Sequence, residues 1–189
     1  MRTRLFRTHR VTIAASFSWL ALFAIVTTAL NPSLALAQHV HPPALSSAPS
    51  IGAAAVPFDL KTLEGKPANL ETFRGRPLVL NFFASWCDPC RDEMPSINDL
   101  ASKGAQDGYS VLGIAVEDSR AAVTEFAKES SLIFPIALDL NSTVKRAYRI
   151  VGPPATFFID AQGITRDVVL GPMTAERARE AMKKVYGTK

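Results

Sequence analysis

Two stretches of this chain are apolar without alternation: Leu78 to Ala84 (LVLNFFA) and Val111 to Val116 (VLGIAV). Continuous runs of that length predict strands buried on both faces. Ala155 to Ile159 (ATFFI) and Ile164 to Leu170 predict two more strands, joined at Asp160-Ala161-Gln162-Gly163 by a hairpin turn, and Ile136 to Leu138 predicts a short one. Between these runs the period lengthens. Asp92 to Lys103 carries Met94, Ile97 and Leu100–Ala101 at helical spacing, and Arg120 to Glu129 is amphipathic behind Ser119, an N-cap residue. Ser142 to Tyr148 predicts a short helix, and Thr174 to Val185 a closing one, capped by Thr174 with Arg177 and Lys183–Lys184 toward its later turns. Val56 to Leu60 and Ala68 to Leu70 flank Glu64-Gly65-Lys66 and predict an N-terminal β-hairpin. The order β-β-(β-α-β-α)-β-α-β-β-α predicts an α/β fold, a mixed sheet with helices on both faces.

The first 52 residues do not belong to that pattern. Arg2, Arg4, Arg7 and Arg10 precede an apolar stretch from Val11 to Leu30, and Ala35-Leu36-Ala37 has the small-x-small form of a cleavage site. Residues 1–37 are therefore expected to be a signal peptide or an N-terminal membrane anchor, since the 11–30 stretch is about long enough to span a bilayer. In either case the arginines stay inside and the following domain lies on the far side of the membrane. Residues 38–52 (QHVHPPALSSAPSIG) are rich in Pro, Ser and Ala and read as a flexible linker, leaving 53–189 as the folded domain.

Charge changes the picture once its location is considered. The net charge of +4 comes from 21 basic and 17 acidic side chains. Four of the basic residues are the leader arginines, so the remainder has 17 of each, and a neutral domain offers no electrostatic reason to bind nucleic acid. The three histidines, His9, His39 and His41, all precede the domain. That excludes Ser-His and Cys-His catalysis within it and, with two thiols only, leaves no expected metal site.

Those thiols are Cys87 and Cys90, the two cysteines of the chain. A disulfide between them closes too short a loop to constrain the unfolded chain much, so a purely stabilising role is a weak explanation. Where a buried strand meets a helix, unpaired backbone N–H groups and the positive end of the helix dipole stabilise a thiolate at the first cysteine. Cys87 is expected to be the exposed nucleophile and Cys90, one turn further in, the resolving thiol. Pro89 falls near the first helical turn, where its missing N–H costs little, and stiffens the loop. Asp88 between the cysteines disfavours the thiolate and makes the pair a weaker oxidant.

Phe83-Ala84-Ser85-Trp86-Cys87-Asp88-Pro89-Cys90-Arg91-Asp92-Glu93-Met94-Pro95 resembles the active-site segment of the thioredoxin superfamily, and is most similar to the exported TlpA/ResA/CcmG group. A second segment, Tyr148 to Phe157 with Gly152-Pro153-Pro154-Ala155-Thr156-Phe157, is similar to that family's Gly-x-Pro-x-Thr-Phe motif. The resemblance spans about residues 56 to 186 and implies a thioredoxin-like fold. It makes Pro154 the expected cis-proline, facing the cysteines and helping to hold an extended substrate segment. Pro153 before it leaves no backbone N–H at either position, so substrate pairing must use neighbouring groups. Trp86 is expected beside the pair as an apolar wall for partners, with a core position as the alternative. Asn81 stands where thioredoxin itself has a buried acid. The group places an acid after the next strand, which makes Glu117 or Asp118 a candidate proton acceptor for Cys90, with exposed turn acids as the alternative. Glu93 belongs to the group's motif, either as a substrate contact or as surface charge.

The implied function is an extracytoplasmic, periplasmic or membrane-anchored protein-disulfide reductase. It has no cofactor beyond the Cys87–Cys90 disulfide, because flavin and nicotinamide motifs are absent from the sequence. Its implied partners are client proteins with cysteine pairs, such as those of cytochrome c maturation or respiratory oxidase assembly, and a membrane thiol reductant as electron donor. The alternatives are a general disulfide oxidase or isomerase, and a non-enzymatic Cu(I) metallochaperone.

Overall fold

The computed structural model describes residues 49–186. The expected leader, its 11–30 apolar stretch and cleavage pattern, and His39 and His41 in the linker lie outside the described residues.

The elements are β1 (Asp59–Lys61), β2 (Pro67–Asn69), a 3-10 turn (Leu70–Phe73), β3 (Leu78–Phe83), α1 (Asp88–Asp107), β4 (Ser110–Val116), α2 (Arg120–Glu129), β5 (Ile136–Asp139), α3 (Thr143–Ala147), β6 (Ala155–Ile159), β7 (Thr165–Leu170) and α4 (Ala175–Tyr186). Five strands form one sheet in the order β5-β4-β3-β6-β7. β3 runs parallel to β4, and β4 parallel to β5, while β6 is antiparallel to both β3 and β7. The sheet is mixed, with β3 at its centre.

Because β3 and β4 are covered on both sides, alternate residues of the same strand enter different cores. Val79 and Phe83 pack with Met94, Ile97, Val123, Phe126, Ala178 and Ala181, which come from α1, α2 and α4. Leu78, Leu80 and Phe82 pack on the other face with Val144 and Tyr148 from the α3 region and with Val56, Phe58 and Phe73 from the N-terminal segment. Side-chain bonds fasten these layers. Tyr148 donates to the Val56 carbonyl at 2.8 Å, and the buried Asp167 of β7 is held by Arg177 and Lys184 of α4 at 2.6 and 3.1 Å.

Element boundaries differ from the expected ones where local capping decides them. α1 begins at Asp88 rather than Asp92, because Cys87 is its N-cap and Pro89 sits in its first turn, and it runs on to Gly108, whose φ of 78° ends it. β1 and β2 pair antiparallel with Leu60 opposite Ala68, but Val56 lies before the strand and Leu70 opens the 3-10 turn instead of extending β2. Asn69 causes that switch by accepting from the Thr72 N–H at 3.0 Å. Gly52 donates to the Thr165 carbonyl at 2.8 Å and the Ser50 carbonyl accepts from the Ala53 N–H at 3.0 Å, so the domain's hydrogen bonding reaches into the expected linker.

Gly113 of β4 leaves room for two buried rings. A Cβ there would stand 2.9 Å from both the Phe83 and Phe134 rings. Both rings are buried, so the substitution Gly113→Ala forces an overpacked core. It is expected to lower unfolding free energy by about 1–3 kcal/mol, read as a lower urea midpoint at unchanged slope.

Candidate active site

The site forms where β3 ends and α1 begins. Cys87 and Cys90 are joined by a disulfide, S–S 2.06 Å, with Cα atoms 5.3 Å apart. Cys87 is the N-cap of α1, and its Sγ accepts from the Cys90 N–H at 3.2 Å. The first sulfur therefore lies at the end of the helix where unpaired N–H groups and the dipole favour negative charge. Cys90 is fully buried. Cys87 is only 5% exposed, less than expected for an attacking sulfur, although it is the more open of the two. Asp88 and Pro89 between them are exposed.

The loop leading into Cys87 is gripped by the turn after β4. Asp118 accepts from the Ser85 N–H at 2.6 Å through one carboxylate oxygen and from the Ser119 N–H at 2.8 Å through the other. The Glu117 carbonyl accepts from the Trp86 indole N–H at 3.0 Å, while its carboxylate pairs with Lys145 at 2.7 Å. Glu117 and Asp118, the expected candidate proton acceptors, thus hold the loop in place and bond to neither cysteine. Trp86 is 57% exposed and presents its ring to solvent rather than to the core.

The peptide bond between Pro153 and Pro154 is cis. Ala155 pairs with Phe82 of β3 and Leu170 of β7, which places Pro154 at the sheet end from which the cysteine loop emerges. Pro154 is buried and Pro153 half-buried, and the Pro154 carbonyl accepts from the Gly171 N–H at 2.9 Å. Val151, 98% exposed, stands in the same loop, and exposed Leu170 ends β7 at that end of the sheet. A cavity of about 760 Å³ between α4 and the second half of α1 includes neither cysteine. Among the described residues no three His, Cys, Asp or Glu side chains are grouped to hold a metal ion.

The side chain that sequence reasoning placed least well is Glu93. It is 1% exposed, which excludes surface charge. Its Oε1 accepts from Asn81 Nδ2 at 2.7 Å and its Oε2 from the Met173 N–H at 2.8 Å. Asn81 Nδ2 also donates to Thr156 Oγ1 at 3.0 Å. Burial pushes the Glu93 carboxyl up to about 7, against the two hydrogen bonds, which favour the ionised form. The signal was present in the spacing. Cys90, Met94 and Ile97 form the buried stripe of α1, and a residue three after Cys90 falls on the same face.

A carboxyl raised by burial has a defined effect on stability. Between the ordinary carboxyl value and about 7, the folded state holds a proton that the unfolded state has lost. Stability therefore falls as pH rises through that window. A shift of this size corresponds to about 3 kcal/mol. The variant Glu93→Gln is expected to lose most of this slope and to gain on the wild type as pH rises toward 8, measured by urea unfolding across pH 5–8.

Residues 51–168 match the AhpC/TSA family model. The chain is 34% identical over 135 residues to the thiol-disulfide oxidoreductase ResA of Bacillus thuringiensis subsp. konkukian, covering 71% of this chain and 78% of that protein. Among solved structures, a thiol:disulfide interchange protein of the thioredoxin family from Chlorobium tepidum superposes with a TM-score of 0.65 at 30% identity, covering 74% of this chain and all of the other. A secreted disulfide oxidoreductase of Mycobacterium tuberculosis, homologous to E. coli DsbE, superposes at 0.58 with 29% identity, covering 68% and 94%. With its Cys-x-x-Cys pair at the head of α1, the chain belongs to the AhpC/TSA family and, within it, to the thioredoxin-fold thiol–disulfide oxidoreductases of the ResA and DsbE type.

Proposed function

We propose that the protein is an extracytoplasmic dithiol donor that reduces disulfides in client proteins. The observation that carries this reading is Cys87 at the N-cap of α1, with its sulfur bonded to the Cys90 N–H. The leader-like residues 1–37, cleaved or kept as a tether through residues 11–30, support export, and so does the secreted M. tuberculosis relative. Asp88 supports the reducing direction by disfavouring the thiolate.

In the reduced protein the Cys87 thiolate attacks a client disulfide. That S–S bond breaks, a Cys87–client disulfide forms, and one client sulfur leaves as thiolate. Cys90 then gives its proton to the Glu93 carboxylate, one turn along the same buried face of α1. The Cys90 thiolate attacks Cys87 Sγ, which closes the Cys87–Cys90 bond and releases the second client thiolate. The client gains two electrons and takes up its protons from solvent. A thiol reductant at the membrane restores the dithiol. Trp86, Val151 and Leu170 form the apolar contact surface, and Pro153 and Pro154 line the approach to the cysteines. Because Pro153 has no N–H, an extended client segment meets carbonyl acceptors there. Clients with paired haem-attachment or copper-site cysteines, as in cytochrome c maturation and oxidase assembly, fit this role.

Replacing the resolving thiol tests the exchange. Cys90→Ser, expressed in the native compartment, is expected to accumulate mixed disulfides on Cys87 with proteins that carry cysteine pairs. An empty trap, together with a Cys87 inert to alkylation, rejects the mechanism. Direction is tested separately in a glutathione buffer. The pair is expected to equilibrate nearer to about −270 mV than to about −120 mV, and a value at the oxidising end rejects the reductase assignment.

A further inference from the structure

Glu93 must both accept and release a proton in the core, and Asn81 is built to accommodate this. Asn81 is fully buried on β3, opposite Thr156 on β6, with both side chains on the sheet face that α1 covers. Its Nδ2 makes two bonds, to Glu93 Oε1 at 2.7 Å and to Thr156 Oγ1 at 3.0 Å. Its Oδ1 has no partner among the described residues. An amide oxygen left unsatisfied in the core is costly, and native structures seldom carry one without a reason. The two ends of an amide have nearly the same size, so a half-turn about the terminal torsion exchanges them without repacking.

That half-turn matters because of what each partner can offer. An ionised Glu93 only accepts hydrogen bonds, and Nδ2 must face it. A protonated Glu93 carries an O–H donor on the oxygen near Asn81, and there Oδ1 is the matching group. The Thr156 hydroxyl either accepts or donates, so it serves both orientations. The Met173 N–H bonds the other carboxyl oxygen, Oε2. Among the described residues no charged side chain bonds Glu93. On α1 the titratable neighbours on this face are Cys90 and Cys87. β3 contributes Asn81, β6 contributes Thr156, and the segment before α4 contributes a backbone N–H. From α4, Ala178 and Ala181 face this core, while Arg177 and Lys184 turn to Asp167.

We propose that Asn81 is a positioning residue for the exchange reaction, a reversible amide that turns its N–H to the Glu93 carboxylate and its carbonyl to the Glu93 carboxylic acid. The carboxyl then keeps a hydrogen bond while the proton from Cys90 arrives and leaves. This rests on the reading of Glu93 as the proton acceptor of the resolving step. It assigns the neutral amide in β3 a role in proton transfer, in place of a second acid.

The test uses the full chain with 13C at glutamate carboxyls and 15N at asparagine side chains, titrated by NMR. The Asn81 amide signals are expected to shift with the same midpoint as the Glu93 carboxyl, and contacts from the Asn81 NH2 protons to Thr156 to fade as Glu93 protonates. Asn81→Leu removes the bond from both forms of Glu93, but the bond to the carboxylate is the stronger of the two, so the Glu93 midpoint is expected to rise by about one unit. The pH profile of mixed-disulfide resolution should move by the same amount. Asn81→Asp, which keeps the shape, places two carboxyls over one proton and is expected to raise it further. An Asn81 amide that stays fixed while Glu93 titrates overturns the proposal, as does a Glu93 midpoint unmoved in both variants. If the amide follows Glu93 but Glu93→Gln resolves mixed disulfides with an unchanged pH profile, the proton-acceptor reading fails and the role of Asn81 in exchange falls with it. If Glu93→Gln shifts that profile while the amide stays fixed, the proton-acceptor reading stands and the proposal alone fails.

Discussion

The hydrogen bonds that β3 makes along both of its edges are the constraint on which the site depends. Phe82 is paired with Ile114 on one side and with Ala155 on the other, at the end of the strand from which the cysteine loop departs. A strand held on both edges and covered on both faces can shift neither in register nor in height without moving every side chain it buries. The head of α1, the cis Pro153–Pro154 bond and the Glu117–Asp118 turn are therefore fixed relative to each other by one ladder. The sulfur at the helix cap needs that fixity, because the stabilisation of a thiolate by backbone N–H groups falls away within the first helical turn.

Two buried acids on the same face of the sheet show how differently a core can treat a carboxyl. Burial acts to raise both. At Asp167 the bonds and charges of Arg177 and Lys184 overcome it, and the group is held below its ordinary range. At Glu93 the partners are an amide and a backbone N–H, both neutral, and burial prevails. Asp167 is thereby favoured as the anion that ties α4 to β7, while Glu93 is free to change its charge. The difference lies in what the neighbouring elements offer, since the two residue types are chemically alike.

Hydrophobic period made much of this fold readable. Arg120–Glu129 and Ala155–Ile159 have the expected bounds, because Ser119 caps the helix and the ATFFI run is buried on both faces. The start of α1 was harder to place. Asp88, Pro89 and Arg91 carry no apolar period, and a cysteine acting as N-cap is not a standard cap residue. Glu93 is hard to place for a related reason. A charged residue type next to Arg91 and Asp92 reads as surface until the helix is phased from Cys90. The bonds made by Glu117 and Asp118 were not legible at all, because they depend on the path of the turn after β4, where Glu117 adopts a positive φ of 52°. The cysteine pair itself needed no three-dimensional information, since strand, Trp-Cys-x-x-Cys and helix follow one another directly in the chain.

Lys145 belongs to α3, a helix on the opposite side of the sheet from α1, yet its ion pair with Glu117 reaches the turn whose carbonyl holds the Trp86 indole. The rim of the site is thus assembled from both layers of the domain, while the sulfurs and Glu93 belong to one. In evolutionary terms this separates two kinds of change. A change at Lys145 reaches the Trp86 rim through the Glu117 turn, whereas a change in β3 or α1 acts on Cys87, Cys90 and Glu93 directly.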